Sequence, residues 1–263
     1  MMTRRAIGWA LLACVLVSLV FFAFPGLDLW ASSWVYEPGR GFVRMPAAVE
    51  RLRTLGQLVV VLVPVTIGLA VLLKLLVPAR RLLVDARASL FLLTTLLVGP
   101  ALLVNVVLKD NWGRPRPREV TQFGGAAEMM PAWVPGGACG DNCSFVSGET
   151  ASAFWTLALA AVAPPALRTA AFAAALVYGS TVGAIRFAAG GHFLSDVLLA
   201  ALLTHLVVAL TYDLMIRRDP PWTRPDRLEG RLARAGARLR AERRRLVAAI
   251  RDRNLASEKS IGR

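Results

Sequence analysis

Residues 88–108 constrain this chain more than any other stretch. They form an unbroken run of twenty-one residues without a charge, followed at once by Lys109-Asp110-Asn111-Trp112-Gly113-Arg114-Pro115-Arg116-Pro117. About twenty apolar residues in a helix span the hydrocarbon core of a bilayer, so the run predicts a membrane helix and the stretch behind it marks the end. That end holds three cations and two prolines. Lysine offers a point charge, arginine a planar fork that grips two phosphate oxygens, and proline stiffens the loop so that binding has less order to impose. Two readings stay open from this stretch alone: an anion site built at a helix end, or a basic loop that anchors the helix among lipid headgroups.

Five further runs of similar character cover residues 6–24, 54–73, 150–167, 169–185 and 193–212. With 56% apolar residues the chain reads as an all-α, polytopic membrane helical bundle of six transmembrane helices. No small-residue cleavage site precedes Pro25 and Gly26, so the first run is expected to be an uncleaved membrane helix. Pro164 and Pro165 mark the turn between the fourth and fifth helices. Between the first two, Trp30, Trp34 and Tyr36 suit a membrane interface, and the amphipathic piece 47–53 is expected to lie along the surface. Lys74 closes the second run and is expected to reach headgroups.

Charge sets the orientation. Of the net +14, residues 217–263 carry +9, from fifteen Lys/Arg against six Asp/Glu. The chain therefore divides into a six-helix domain, 1–216, and a basic tail, 217–263, helical at least in part over 224–253. Anionic lipid headgroups account for such a tail without nucleic acid, and a partner-binding helix is the other reading. Arg4, Arg5, Arg80, Arg81, Arg87, Arg168 and the tail all fall on one side of the predicted membrane. Positive residues stay inside, so both termini are expected in the cytoplasm and the opposite face in the periplasm of the inner membrane. Arg40, Arg44, Arg51 and Arg53 lie on the far side and weaken this bias without reversing it.

On the far face the polar residues converge. Lys109 and Arg116 leave the third helix there, Ser147, Gly148 and Glu149 enter the fourth, Arg186 closes the fifth, and His192 and Asp196 open the sixth. His192 and Asp196 are four apart and share a helix face, so the carboxylate is placed to bond one ring nitrogen while the other points outward; a cap at the helix start is the other reading of the pair. Gly190 and Gly191 permit close backbone approach to a bound group. Ser147 and Gly148 stand where free helix amides bind phosphate oxygens, and by themselves also read as an ordinary helix N-cap. His205, thirteen residues beyond His192, reads as structural.

Three segments here, Lys109-x6-Arg116-Pro117, Ser144-Phe145-Val146-Ser147-Gly148-Glu149 and Arg186-x5-His192-x3-Asp196, resemble the signature motifs of type 2 phosphatidic acid phosphatases, the superfamily that includes vanadium haloperoxidases. Lys109 to Pro117, Gln122-Phe123-Gly124-Gly125, Cys143-Ser144-Phe145-Val146 and Gly190-Gly191-His192-Phe193 are similar, more narrowly, to the bacterial lipid A 4'-phosphatase branch. The resemblance implies a six-helix membrane bundle with an external site. It implies that His192 attacks phosphorus to form a phosphohistidine, that Asp196 orients it, and that Lys109, Arg116, Arg186, Ser147 and the Gly148 amide hold the phosphoryl oxygens. It implies no metal and no cofactor. Two positions depart from the family pattern: Glu149 stands where a histidine is usual, and Ile185 where a serine is. Glu149 becomes the candidate acid for the leaving group, with activity favouring mildly acidic pH; the other reading is that it only caps the fourth helix or pairs with a cation.

The leading expectation is thus a metal-independent phosphatase acting on the 4'-phosphate of lipid A or a precursor at the periplasmic face. The alternatives are an undecaprenyl pyrophosphate phosphatase, a lipid phosphotransferase, or a phospholipid-binding protein that lost the chemistry. Cys139 and Cys143 fall in the external loop, where an oxidising compartment favours a disulfide, while Cys14 lies within the first helix.

Overall fold

The structure, a computed structural model, describes residues 3–261, with side chains described for all of these except residues 52 and 251–261. The charges of the tail beyond residue 250 therefore lie outside the described side chains. The first helix, α1 (Arg4–Ala23), is capped by the Thr3 hydroxyl, which accepts from the Ala6 amide. Pro25 and Gly26 break it, and α2 (Gly26–Ser33) follows. A small hairpin pairs β1 (Tyr36–Glu37) with β2 (Gly41–Phe42).

The second long helix, α3 (Ala47–Leu76), departs from expectation at its start. Residues 47–53 continue straight into the membrane run as one thirty-residue helix. Nothing between Arg53 and Thr54 breaks the helix, and Gly56 leaves the room that the Tyr178 ring fills, 2.5 Å from where a Cβ would stand. The third helix begins as α4 (Ala86–Leu96), with Asp85 accepting from the Ala88 amide, widens to a π-helical stretch over Leu97–Lys109, and ends in α5 (Asp110–Trp112). Pro100 stands near the start of the widened stretch, and its carbonyl accepts from the Asn105 side chain at 2.8 Å. A proline has no N–H to give, which loosens the ladder at that point.

The predicted fourth helix forms as two short pieces in succession, α6 (Gly148–Phe154) and α7 (Thr156–Val162). Between them Trp155 is fully buried and donates from its ring to the Thr95 hydroxyl at 3.0 Å. Then come α8 (Pro165–Ala188) and α9 (Leu194–Tyr212). Pro165 starts α8, where proline's missing donor costs nothing. Among the described residues five helices are long and apolar enough to cross a membrane, those of α1, α3, α4 with its continuation, α8, and α9. Their outward residues are apolar: Leu58, Leu62, Val65 and Leu69 of α3 are all exposed. The core lies between α4, α7 and α9, around Phe91, Trp155, Leu157 and Val208.

The tail forms α10 (Pro225–Ile261), and its first turns pack on α3 and α4. Lys74, expected among headgroups, is instead buried: Nζ donates to the Arg80 carbonyl at 2.6 Å and stands 3.8 Å from Glu229 of α10. The tail supplies the counter-charge that turns it inward.

Candidate active site

His192 lies in the turn between α8 and α9, which Gly190 makes possible by adopting φ +63°. Its ring is buried, and Nδ1 sits 2.7 Å from the Ser144 carbonyl oxygen. A carbonyl only accepts, so Nδ1 carries the proton and Nε2 keeps the lone pair. Burial, aided by the positive charges of Arg186, Arg116 and Lys109, holds the imidazole pKa well below 6.5, against the opposing pull of the Ser144 carbonyl. The ring is therefore neutral at neutral pH, with Nε2 in the form that attacks an electrophile.

Asp196 does not bond this ring as its spacing predicted. Its Oδ2 is 3.9 Å from Nδ1, while the same oxygen accepts from the Ser144 hydroxyl at 2.5 Å and the Phe193 amide at 2.9 Å. The carboxylate thus caps α9 and fixes the segment whose carbonyl holds the histidine. Its other oxygen accepts from Arg114 at 2.5 Å.

Arg114, one of the three cations of the stretch behind the third helix and the one given no role above, is fully buried. It bridges Asp196 and Asp28 of α2, donates to the Ser195 hydroxyl, and lies 4.3 Å over the Phe193 ring. Asp28 also accepts from the Ser195 amide and hydroxyl, at 2.9 and 2.6 Å. Sequence reasoning missed this residue. The one available signal was a lone acid in the otherwise uncharged stretch 6–36.

Lys109, Arg116 and Arg186 come together around His192. Arg116 is buried and donates to the Asn142 carbonyl at 2.7 Å. Gly191 leaves room for the Arg186 guanidinium, which lies 2.7 Å from where a Cβ would be. The close approach that the glycine pair permits at Gly191 is thus made by the protein's own arginine. Gly148 likewise faces Asn105 and Lys109, whose Nζ is 3.7 Å from its would-be Cβ. The Ser147 hydroxyl caps α6, accepting from the Thr150 amide and hydroxyl, which leaves its own proton available to a ligand.

Glu149, about one-third exposed, lies between two arginines. One oxygen accepts from Arg53 of α3, and the other stands 3.5 Å from Nε of Arg186. In the sequence Arg53 is only a charge that opposes the orientation. Its place at the site was not legible, because α3 precedes the motifs by more than thirty residues.

Residues 113–147 fold over this group. Trp112, Trp133 and Phe145 pack edge to face or tilted, and the Ser144 amide donates to the Arg114 carbonyl. Cys139 and Cys143 are joined as a disulfide, Cα atoms 5.7 Å apart, around the Asn142 carbonyl that holds Arg116. Cys14 is free and buried in α1. His205 stays partly buried within α9. Among the described residues no three His, Cys, Asp or Glu side chains gather closely enough to hold a metal ion.

A buried neutral histidine ringed by lysine and arginines, carried on a bundle of apolar helices, defines a class of membrane protein that handles phosphate groups. The chain belongs to the PAP2 superfamily, whose model matches residues 88–220. It is 38% identical over 223 residues to the lipid A 4'-phosphatase of Rhizobium leguminosarum, covering 76% of this chain and 90% of that one. To the lipid A 4'-phosphatase of Francisella tularensis subsp. novicida it is 32% identical over 232 residues, covering 82% of this chain and 99% of the relative. A third, from Rhizobium etli, is 46% identical over 117 residues, 44% of this chain and 46% of the relative. No solved structure matches.

Proposed function

We infer that this chain is a membrane lipid phosphatase that hydrolyses a phosphomonoester, the 4'-phosphate of lipid A or a precursor. The observation that carries this reading is the buried His192 ring, oriented by the Ser144 carbonyl, with Arg186 packed on Gly191 beside it and the charges of Lys109 and Arg116 also reaching it. The relatives, named for that activity along most of their length, supply the substrate.

In the proposed reaction Nε2 of His192 attacks phosphorus and the bond from phosphorus to the sugar oxygen breaks. The departing alkoxide takes a proton, for which Glu149 is the candidate donor. Water then attacks the phosphohistidine, the P–N bond breaks, and inorganic phosphate leaves. Lys109, Arg116, Arg186, the Ser147 hydroxyl and the Gly148 amide hold the phosphoryl oxygens where charge builds up. Asp196 acts through Ser144, Phe193 and Arg114 rather than on the ring itself.

In the membrane, α6 and α7 together form the sixth and shortest crossing, about 22 Å of helix. Both termini face the cytoplasm, the site faces the periplasm, and the arginines of α10 meet anionic headgroups on the cytoplasmic side. The six-helix part and the tail then divide near residue 217.

Mass spectrometry of lipid A from cells with and without the gene tests the reading. Loss of one phosphate from the distal sugar supports it. Unchanged lipid A with altered polyprenyl phosphate pools sinks it in favour of an undecaprenyl pyrophosphate phosphatase. Phosphate appearing on another lipid marks a transferase, and tight lipid binding without phosphate release marks a binding protein.

A further inference from the structure

Arg53 is the residue at this site whose presence the phosphatase reading leaves unexplained. It belongs to the second turn of α3, outside the matched segment 88–220, and its side chain is mostly buried. One edge of its guanidinium is held by Glu50, with Nε donating to Oε2 at 2.8 Å. The remaining nitrogen reaches across to Glu149 and hydrogen-bonds its carboxylate. The Gln57 side chain lies 3.5 Å from the Glu149 carbonyl, a second contact from the same helix.

The two arginines around Glu149 hold it unequally. Arg53 makes a hydrogen bond. Nε of Arg186 stands 3.5 Å away and is buried without a hydrogen-bond partner. Arg186 is also a proposed phosphate ligand. A carboxylate and a phosphate dianion compete for the same guanidinium, and each repels the other at short range. Lys109, beside Gly148, is a second cation that a released Glu149 would meet.

We propose that Arg53 is a positioning residue that draws the Glu149 carboxylate to the α3 side of the site, so that it neither neutralises Arg186 nor repels the entering phosphate. The pairing at Arg186 is given up when phosphate arrives, while one Glu149 oxygen stays hydrogen-bonded to Arg53 and the oxygen freed from Arg186 takes up the proton that the leaving group later receives. A histidine at position 149 would need no such partner; a glutamate there does. This rests on the phosphatase reading only in taking phosphate as the ligand of Arg186.

The test uses the purified full chain in lipid–detergent micelles, with inorganic phosphate as competitive inhibitor and para-nitrophenyl phosphate as substrate. R53A should weaken phosphate inhibition and raise KM on the order of tenfold. In R53A/E149Q both constants should return to within about twofold of E149Q alone, whatever kcat does. Unchanged constants in R53A overturn the proposal, and so does a double variant that stays as weak as R53A, since Arg53 then contacts phosphate directly or only supports the helix. R53K guards against misfolding: it keeps the charge but loses the fork, so it should show a smaller rise that E149Q again removes. If the wild-type chain releases no phosphate from any substrate, the phosphatase reading fails by itself. Calorimetric binding of inorganic phosphate to the wild-type chain, R53A, E149Q and R53A/E149Q then still decides the role of Arg53.

Discussion

The Ser144 carbonyl oxygen lies closer to Nδ1 of His192 than does the Asp196 carboxylate, 2.7 against 3.9 Å. Main chain therefore sets the tautomer of the candidate nucleophile, a task usually left to an acid. Asp196→Asn should accordingly keep the ring oriented, and kcat of the folded variant should fall only on the order of tenfold to a hundredfold. Its main effect should be on stability, a loss of about 3–5 kcal/mol, because Arg114 loses a buried partner. His192→Gln should fold and show no turnover. An Asp196→Asn that is fully stable yet as inactive as His192→Gln would refute this division of roles.

The lowered pKa of His192 fixes the sign of two pH effects. The unfolded chain gains a proton on this residue below about pH 6.5 while the folded chain does not. Stability from the buried neutral ring is thus complete above that value and declines as pH falls towards the folded pKa. The acid limb of kcat/KM on an aryl phosphate should likewise have its midpoint well below 6.5. Arg186→Gln should move that midpoint upward, since a cation opposing protonation is gone. A midpoint at the ordinary histidine value in the wild-type chain would contradict the burial.

Glu149→Gln keeps the shape of the side chain and loses its proton. If Glu149 protonates the sugar alkoxide, kcat on a sugar phosphate should drop on the order of a hundredfold, and an aryl phosphate, whose leaving group needs little help, should be much less affected. Equal losses on both substrates, or none, would leave Glu149 without a part in proton transfer.

The bridge between Cys139 and Cys143 encloses the carbonyl that holds Arg116. Closing so short a loop contributes about 2 kcal/mol in the chain-entropy account. Neither thiol should alkylate without reductant, and Cys139→Ser/Cys143→Ser should weaken phosphate inhibition severalfold with kcat little changed. Full alkylation of both in the unreduced protein would exclude the bridge.

Reporter fusions test the orientation. A periplasm-dependent reporter should be active after Pro135 and silent at Arg263, and activity at the C-terminus would overturn the topology.

Much of the site was legible because its chemistry is local. Lys109 and Arg116 share one loop, and His192 stands six residues after Arg186. What the residues do to one another was harder to read. The spacing of His192 and Asp196 fits a shared helix face, yet His192 sits before α9 begins, so the geometry of an i,i+4 pair never forms. Arg114 has no role legible in the sequence, because nothing in its own loop reveals that acids from residues 28 and 196 close on it. In the fold, the apolar runs located the long helices but not their ends. Contacts with residues far off in the chain, Tyr178 at Gly56 and Thr95 at Trp155, lie beside the continued helix and the division and cannot be read from the local pattern.

The contact between Arg114 and Asp28 crosses the line at residue 88 where the family match begins. The segment that the family model matches is therefore not a module that can be cut out and carried elsewhere. A chimera joining residues 88–220 to another protein's leading helices would inherit every reactive group and leave Arg114 with one counter-charge where it now has two. Only a donor with an acid at the same height would restore it. In evolutionary terms, α2 and the phosphate-handling segment are bound to change together.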